Sequence, residues 1–233
     1  MKTNLYFSVR YLPFGDSALV VKFGKTISLA ANQKVVALND ALKKAAIEGV
    51  GELVPTYRSL LVCYDPLKID FEQLVSNIKD LLESLNATRT QKDVRKIVVP
   101  VVYGKEYGPD LSYVAETHGL TEEEAVKKHT GTEYRVYMIG FVAGFPYLGE
   151  VADEIATPRL ETPRLKVPAG SVGIAEKQTG IYPREAPGGW RIIGRTAIEL
   201  FDPKLEPPAL LNPGDTVRFR SVSEEEYLSL TGE

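Results

Sequence analysis

VPAGSVGIAEKQTGIYPREAPGGWRIIGRT, residues 167–196, holds six glycines, three prolines and the chain's only tryptophan, Trp190, but no histidine, cysteine or aspartate. Within it SVGIA, TGIY and WRIIGRT are short apolar and β-branched runs, punctuated by glycine and proline every few residues. That spacing belongs to short strands joined by tight turns. The rhythm extends in both directions: between Gly140 and Val222 helical periodicity all but vanishes, and LNPGDTVRF (211–219) reads as a turn and a closing strand. A β-barrel or compact sandwich is expected here. The two adjacent repeats TPRLE (157–161) and TPRLK (162–166) are too short for a solenoid unit and read as a stiff extended connector.

Upstream, the same unit opens with the strand IVVPVVY (97–103), two short helices in PDLSYVAETHGLTEEEAVKKHTG (109–131), and the strand EYRVYMIGF (133–141). Asp110 and Thr121 are the expected helix caps, and Thr121 with Glu124 makes a capping box. SEEEYLSL (223–230) is expected as a short capped helix. Before all of this lies a polar stretch, NATRTQKDVRK (86–96), which marks a domain boundary.

The first ninety residues follow a different pattern. LYFSVRYL and SALVVKFG predict two strands parted by the turn PFGD, and VGELVPTY and SLLVCYD predict two more. Between the pairs, Val35, Leu38, Leu42 and Ala45 recur at helical steps, with Ser28 as cap and Gly49 as left-handed stop. After the second pair, Phe71, Leu74, Val75, Ile78, Leu81, Leu82 and Leu85 form one stripe, capped by Asp70. The expectation is an α+β sandwich, an antiparallel sheet with two helices on one face, over residues 1–90, followed by a mainly-β domain over residues 91–233.

The chain's 233 residues carry 28 basic and 31 acidic groups, net −3, with no basic block, so a nucleic-acid partner is not indicated. No apolar run reaches the length of a membrane span, and a cytoplasmic chain is expected. The single cysteine, Cys63, excludes an internal disulfide framework and is expected to be a buried thiol. Gly24-Lys25-Thr26 misses the phosphate-loop pattern because Leu19 stands where the first glycine belongs. His118 and His129 each end a short helix in a polar setting and are expected to be capping or solvated; no metal site is expected.

Glycine tolerates left-handed backbone and close approach, and proline stiffens the frame. Together they can present backbone N–H groups to a small polar molecule without any ionisable side chain. Around the block, Gln178 and Thr179 offer neutral contacts. Arg159, Arg164 and Arg195 offer forks for a carboxylate. Phe145, Tyr147, Tyr182 and Trp190 offer an apolar floor. These nine residues are the candidate substrate-binding set. They bind but do not readily catalyse, which points to a site completed by another chain.

GFVAGFPYLGEV, PRLETPRLKVPAGSVGIAEKQTGIYP and PGGWRIIGRT resemble the KipI/PxpB family, as do GDSALVVKFG and VPTYRSLLVCYDP near the start. Two departures from the family pattern stand out: Ala143 in place of a proline, and Glu176 in place of a glycine. The resemblance implies a cyclophilin-like barrel and a place in an ATP-dependent 5-oxoprolinase, which opens a cyclic amide to glutamate. It implies two partner chains of that enzyme, the C subunit with a related barrel and the A subunit, and ATP consumed by the assembly. The alternative it implies is a KipI-like inhibitor of a sensor histidine kinase.

Overall fold

The computed structural model describes residues 9–87 and 94–232. The chain divides into two compact units, 1–93 and 94–233. Residues 5–8 of the first expected strand, and most of the polar boundary stretch, lie outside the described residues.

In the first unit, β1 (Arg10–Pro13), β2 (Ala18–Lys22), β3 (Val50–Pro55) and β4 (Ser59–Tyr64) form an antiparallel sheet in the order β1-β2-β4-β3. Helix α1 (Leu29–Ala45) follows β2 and α2 (Phe71–Ala87) follows β4. Both start as the sequence predicts. The Ser28 hydroxyl accepts the Ala31 N–H at 3.2 Å, and Asp70 Oδ1 accepts the Gln73 N–H at 2.8 Å. Val35 and Leu38 of α1 and Leu74 and Ile78 of α2 are fully buried against Leu19, Val21, Leu60 and Val62 of the sheet. Burying each such side chain contributes roughly 1.5–3 kcal/mol before entropy is counted.

Two local expectations fail here. Helix α1 ends earlier than Gly49: Ala46 takes the left-handed cap at φ 46° and sends its N–H to Leu42 O at 3.1 Å, which leaves Ala45 exposed on the last turn. Gly49, itself at φ 86°, leads the chain into β3, where a Cβ would stand 2.8 Å from the Ile69 side chain. Cys63 is half-buried rather than buried, because the pleat sends Leu60, Val62 and Tyr64 to the helix side and Cys63 to the other face.

The second unit runs β5 (Lys96–Tyr103), α3 (Leu111–Thr117), α4 (Glu122–Thr130), β6 (Glu133–Ile139), β7 (Pro146–Gly149), β8 (Arg164–Val167), β9 (Ser171–Ala175), β10 (Gln178–Ile181), β11 (Ala186–Gly188), β12 (Arg191–Arg195), β13 (Thr216–Ser221) and α5 (Glu224–Thr231). Seven strands close a barrel in the order β10-β7-β6-β13-β5-β12-β9, and β8 pairs with β11 in a separate two-stranded sheet. All barrel pairings are antiparallel except β13 with β5, which run parallel in register from Thr216↔Lys96 to Ser221↔Val101.

The barrel wall is packed on both sides. Val136, Leu148, Val172, Ile174, Ile181, Ile193 and Phe219 belong to the interior core. Ala175, Tyr182, Trp190 and Ile192 belong to a second cluster with Phe145, Val167 and Ala186. Two-sided burial explains why β9, SVGIA, is buried at every position and why its sequence lacks polar alternation.

The predicted capping box at α4 is present: Thr121 accepts the Glu124 N–H at 3.2 Å, and Glu124 accepts the Thr121 N–H at 2.9 Å. Ser223 likewise caps α5. Asp110 precedes α3 but makes no side-chain cap bond, because its carboxylate is engaged elsewhere. In the two-residue turn between β9 and β10, Glu176 stands at φ 53°. A left-handed first turn position favours glycine, so Glu176 holds a backbone conformation that a residue with a Cβ adopts at some cost.

Candidate functional site

Phe145, just before β7, is the hub of an aromatic cluster on the second face of the wall. Its ring meets Tyr147, Tyr182 and Trp190 edge-on at centroid distances of 4.9, 5.1 and 5.4 Å. Edge-to-face pairs at this range are favourable beyond their burial. The rings lie close to the sheet because glycine stands beneath them. A Cβ at Gly180 would come within 2.9 Å of Phe145, Trp190 and the Pro146 carbonyl, and one at Gly173 within 3.1 Å of Trp190. A Cβ at Gly188 would come within 2.1 Å of the Tyr182 hydroxyl.

These glycines therefore make room for the chain's own rings, not for an external molecule. The expected glycine-paved wall of exposed amides is corrected on that ground. Gly180→Ala is expected to destabilise this unit by about 1–3 kcal/mol, read as a lowered urea midpoint of Trp190 fluorescence. An unchanged midpoint would show that the rings can shift freely.

The nine candidate residues separate in the structure. Phe145, Tyr182 and Trp190 are buried, and Tyr147 is half-buried beside them. Arg159 is exposed and lies over Trp190, 5.8 Å from the ring centroid. Gln178 is half-buried at the start of β10. Arg164 is corrected as a fork for a ligand, since its carboxylate is in the same chain: Nη2 donates to Asp110 Oδ1 at 2.8 Å and Nη1 to Trp190 O at 3.4 Å. The second Asp110 oxygen accepts the Ile192 N–H at 2.6 Å. Arg195, half-buried at the end of β12, lies 5.6 Å from the Tyr107 ring centroid.

Thr179 is corrected as a surface contact. It is fully buried and belongs to an internal hydrogen-bond chain with His129, which is likewise buried rather than solvated. The Thr179 hydroxyl donates to Gly173 O at 3.0 Å. It must then accept from His129 Nε2, 3.0 Å away. Neutral His129 is left with Nδ1 as acceptor for the Tyr103 hydroxyl at 2.8 Å. Burial pushes the imidazole down from 6.5 to about 3. The ring also stacks on Phe219 at 4.5 Å. His118 is half-buried and bonds Thr157 at 3.2 Å.

Two features escape the sequence reading. Phe141 is 59% exposed at φ 66°, with its ring edge-on to Phe145 at 5.7 Å, so the β6–β7 loop holds an aromatic side chain outward in left-handed backbone. Arg191 stacks on Tyr113 at 3.8 Å and donates to Pro158 O at 3.2 Å. Nothing in the local pattern separates Arg191 from the arginines around it. Phe141 is signalled only by the density of aromatic and glycine residues in 140–147.

Around the Phe145–Trp190 cluster the groups not fully buried are thus Phe141, Tyr147 and Arg159, an aromatic and cationic set suited to binding, while Arg195 stands by Tyr107. Among the described residues no group of three or more His, Cys, Asp or Glu stands together as a metal site. No described helix is long and apolar enough to cross a membrane. Gly24-Lys25-Thr26 does not fit a nucleotide phosphate: α1 starts only at Leu29, and its cap is made by Ser28.

Residues 9–211 match the family model for the carboxyltransferase domain, subdomain C and D. The chain is 40% identical over 232 residues to the B subunit of 5-oxoprolinase from Bacillus subtilis, covering 94% of this chain and 96% of that protein. It is 42% identical over 208 residues to the B subunit of 5-oxoprolinase from Haemophilus influenzae, covering 89% and 95%. Among solved structures it is similar to TTHA0988, with 38% identity and a TM-score of 0.79; the match covers 88% of this chain and 40% of that longer one.

Proposed function

The chain belongs to the family of the carboxyltransferase domain, subdomain C and D, and on that premise we propose that it is the B subunit of an ATP-dependent 5-oxoprolinase. The observation that carries the reading is the 40% identity to the Bacillus subtilis B subunit, which runs along almost the whole of both chains. In this reading residues 1–90 and 91–233 are two domains, and the second is a barrel of the cyclophilin-like kind. The name brings no prolyl isomerase activity with it, because fold does not fix function.

5-Oxoproline is a lactam, a resonance-stabilised amide that water attacks slowly. ATP, consumed by the assembly, supplies the activation. No step through ATP is placed on this chain, whose only near-match to a phosphate loop does not fit. The chain's part is to bind and orient. Its outward aromatic and arginine side chains recognise a small planar carboxylate, while its one deeply placed histidine is locked neutral inside the barrel. The C subunit, with a related barrel, and the A subunit complete the site. The residues held for substrate contact are Arg159, Tyr147, Gln178 and Arg195, with Phe145, Tyr182 and Trp190 as the rigid support beneath them.

The three purified chains of the enzyme, this one with its A and C partners, are expected to form glutamate when mixed with 5-oxoproline and ATP. Omission of this chain is expected to abolish turnover. Turnover undiminished without it would remove the assignment.

A further inference from the structure

The sheet of the first unit carries apolar side chains on both faces. Leu19, Val21, Leu60 and Val62 meet the helices. Strand alternation sends Leu12, Val20, Leu61 and Val54 to the other face, and none of them belongs to the helix-side cluster. The pairings Leu12↔Val20, Val20↔Leu61 and Leu61↔Val54 align them in one row across all four strands. All four are half-buried, and Phe14, beside Ala18 at one corner, is 63% exposed. An antiparallel sheet packed on one side commonly turns a polar second face to water. A continuous aliphatic row there marks an interaction surface.

The sheet's edges are closed to an added strand. Phe14 N–H donates to Ala18 O and Thr56 N–H to Ser59 O, each at 2.8 Å, so the backbones of Pro13 and Pro55 point outward along the two edges. Proline has no N–H to offer there. The face is what remains, and its charges are sorted by corner. Arg10 and Lys22 are register partners at one end, like charges directly opposed, which costs stability. At the diagonally opposite corner a bulge sets Gly51 and Glu52 against Cys63, and Glu52 is exposed. None of Arg10, Lys22 and Glu52 has an ion-pair partner among the described residues.

Two copies stacked on this face are related by a two-fold axis lying between the sheets. An axis along the strands sets Arg10 over the Thr56 corner, and one across the strands sets it over the Phe14 corner. An axis on the Arg10–Glu52 diagonal sets it over its own copy. The axis on the Phe14–Thr56 diagonal sets the Arg10 corner over the partner's Glu52, twice by symmetry. The two aliphatic rows then cross at about 90°, one of the two packings that stacked sheets adopt. We propose that this face joins two copies of the chain in a two-fold dimer, with Leu12, Val20, Leu61 and Val54 at its centre and two Arg10–Glu52 pairs at its rim. Strands ~4.8 Å apart and about five residues long make the face small, in the class of weak, reversible contacts that bury under ~1,200 Å².

Sedimentation velocity of the full chain over a wide range of concentration is expected to show a reversible monomer–dimer equilibrium. Arg10→Glu alone, and Glu52→Arg alone, should each weaken association about tenfold or more, because like charges then meet at the rim. The double variant Arg10→Glu with Glu52→Arg should return to within about threefold of the unaltered chain, since the pair is re-formed with its signs exchanged. A chain that stays monomeric throughout would leave the face to a different partner and overturn the proposal. Single variants that associate like the unaltered chain, or a double variant as weak as the singles, would overturn it as well.

Discussion

Asp110→Ala is expected to lower the unfolding free energy of the barrel unit by about 3–5 kcal/mol, the range for breaking one side of a buried ion pair. The Asp110 side chain is 9% exposed, and its two oxygens serve two different elements. One accepts from Arg164 at the start of β8, the other from the Ile192 N–H in β12. Asp110 also sends its own N–H to Ile192 O at 2.8 Å, so this residue fastens the start of α3 to the wall by both backbone and side chain. Alanine removes both acceptors at once. It leaves the Arg164 charge and the Ile192 amide without their partners. Asp110→Asn keeps an oxygen for one of them and is expected to lose less, about 1–3 kcal/mol. Trp190 is the only tryptophan, and its carbonyl accepts from Arg164, so urea titration by fluorescence reports the right part of the molecule. A loss below about 1 kcal/mol for Asp110→Ala, the ordinary size for any substitution, would show that the pair fastens nothing.

Acid is expected to destabilise the same unit through His129. Its folded value, about 3, lies below the ordinary 6.5, so between these limits the unfolded chain holds a proton that the folded chain excludes. The stabilisation is complete above pH ~6.5 and is lost as pH falls towards ~3, with a slope approaching 1.4 kcal/mol per pH unit and a total on the order of 5 kcal/mol. Burial of the ring causes this, and the Tyr103–His129–Thr179 chain offers a second proton no acceptor, since Nδ1 already receives the Tyr103 hydroxyl. His129→Gln is expected to be less stable at pH 7 and to show a flatter dependence between pH ~6 and ~4. The comparison is of urea midpoints for the two proteins across that range. Parallel curves would show that His129 carries no part of the acid sensitivity.

Much of the fold is legible in the sequence because local chemistry and tertiary packing agree. Ser28, Asp70, Thr121 and Ser223 cap the helices that their sequences announce, and the stripe through Leu74 and Ile78 is the buried face of α2. The glycine and proline punctuation of 167–196 does mark short barrel strands. Legibility fails where one residue's partner lies far along the chain. Asp110 looks like a cap, but its acceptors are claimed by groups 54 and 82 residues away. His129 looks like the polar end of a helix, yet its ring reaches Thr179, 50 residues on. The glycines read as open floor because the sequence does not show that Phe145 and Trp190 fold back over Gly180. Of the candidate site, the aromatic cluster could be anticipated from composition. The separation of Arg164, bound internally, from Arg195, which has no acidic partner among the described residues, could not.

The parallel seam between β5 and β13 bears on how this unit is made. Strand β13 sits between β5 and β6, although it is the last barrel strand along the chain. During synthesis β5 and β6 leave the ribosome long before Thr216 does, each with an unsatisfied edge. Closure of the ring is therefore a late event, and non-local closure of this kind is slow and exposed to misassembly. A nascent chain arrested before Thr216 would present two raw strand margins, the usual seed for sticking to a neighbour.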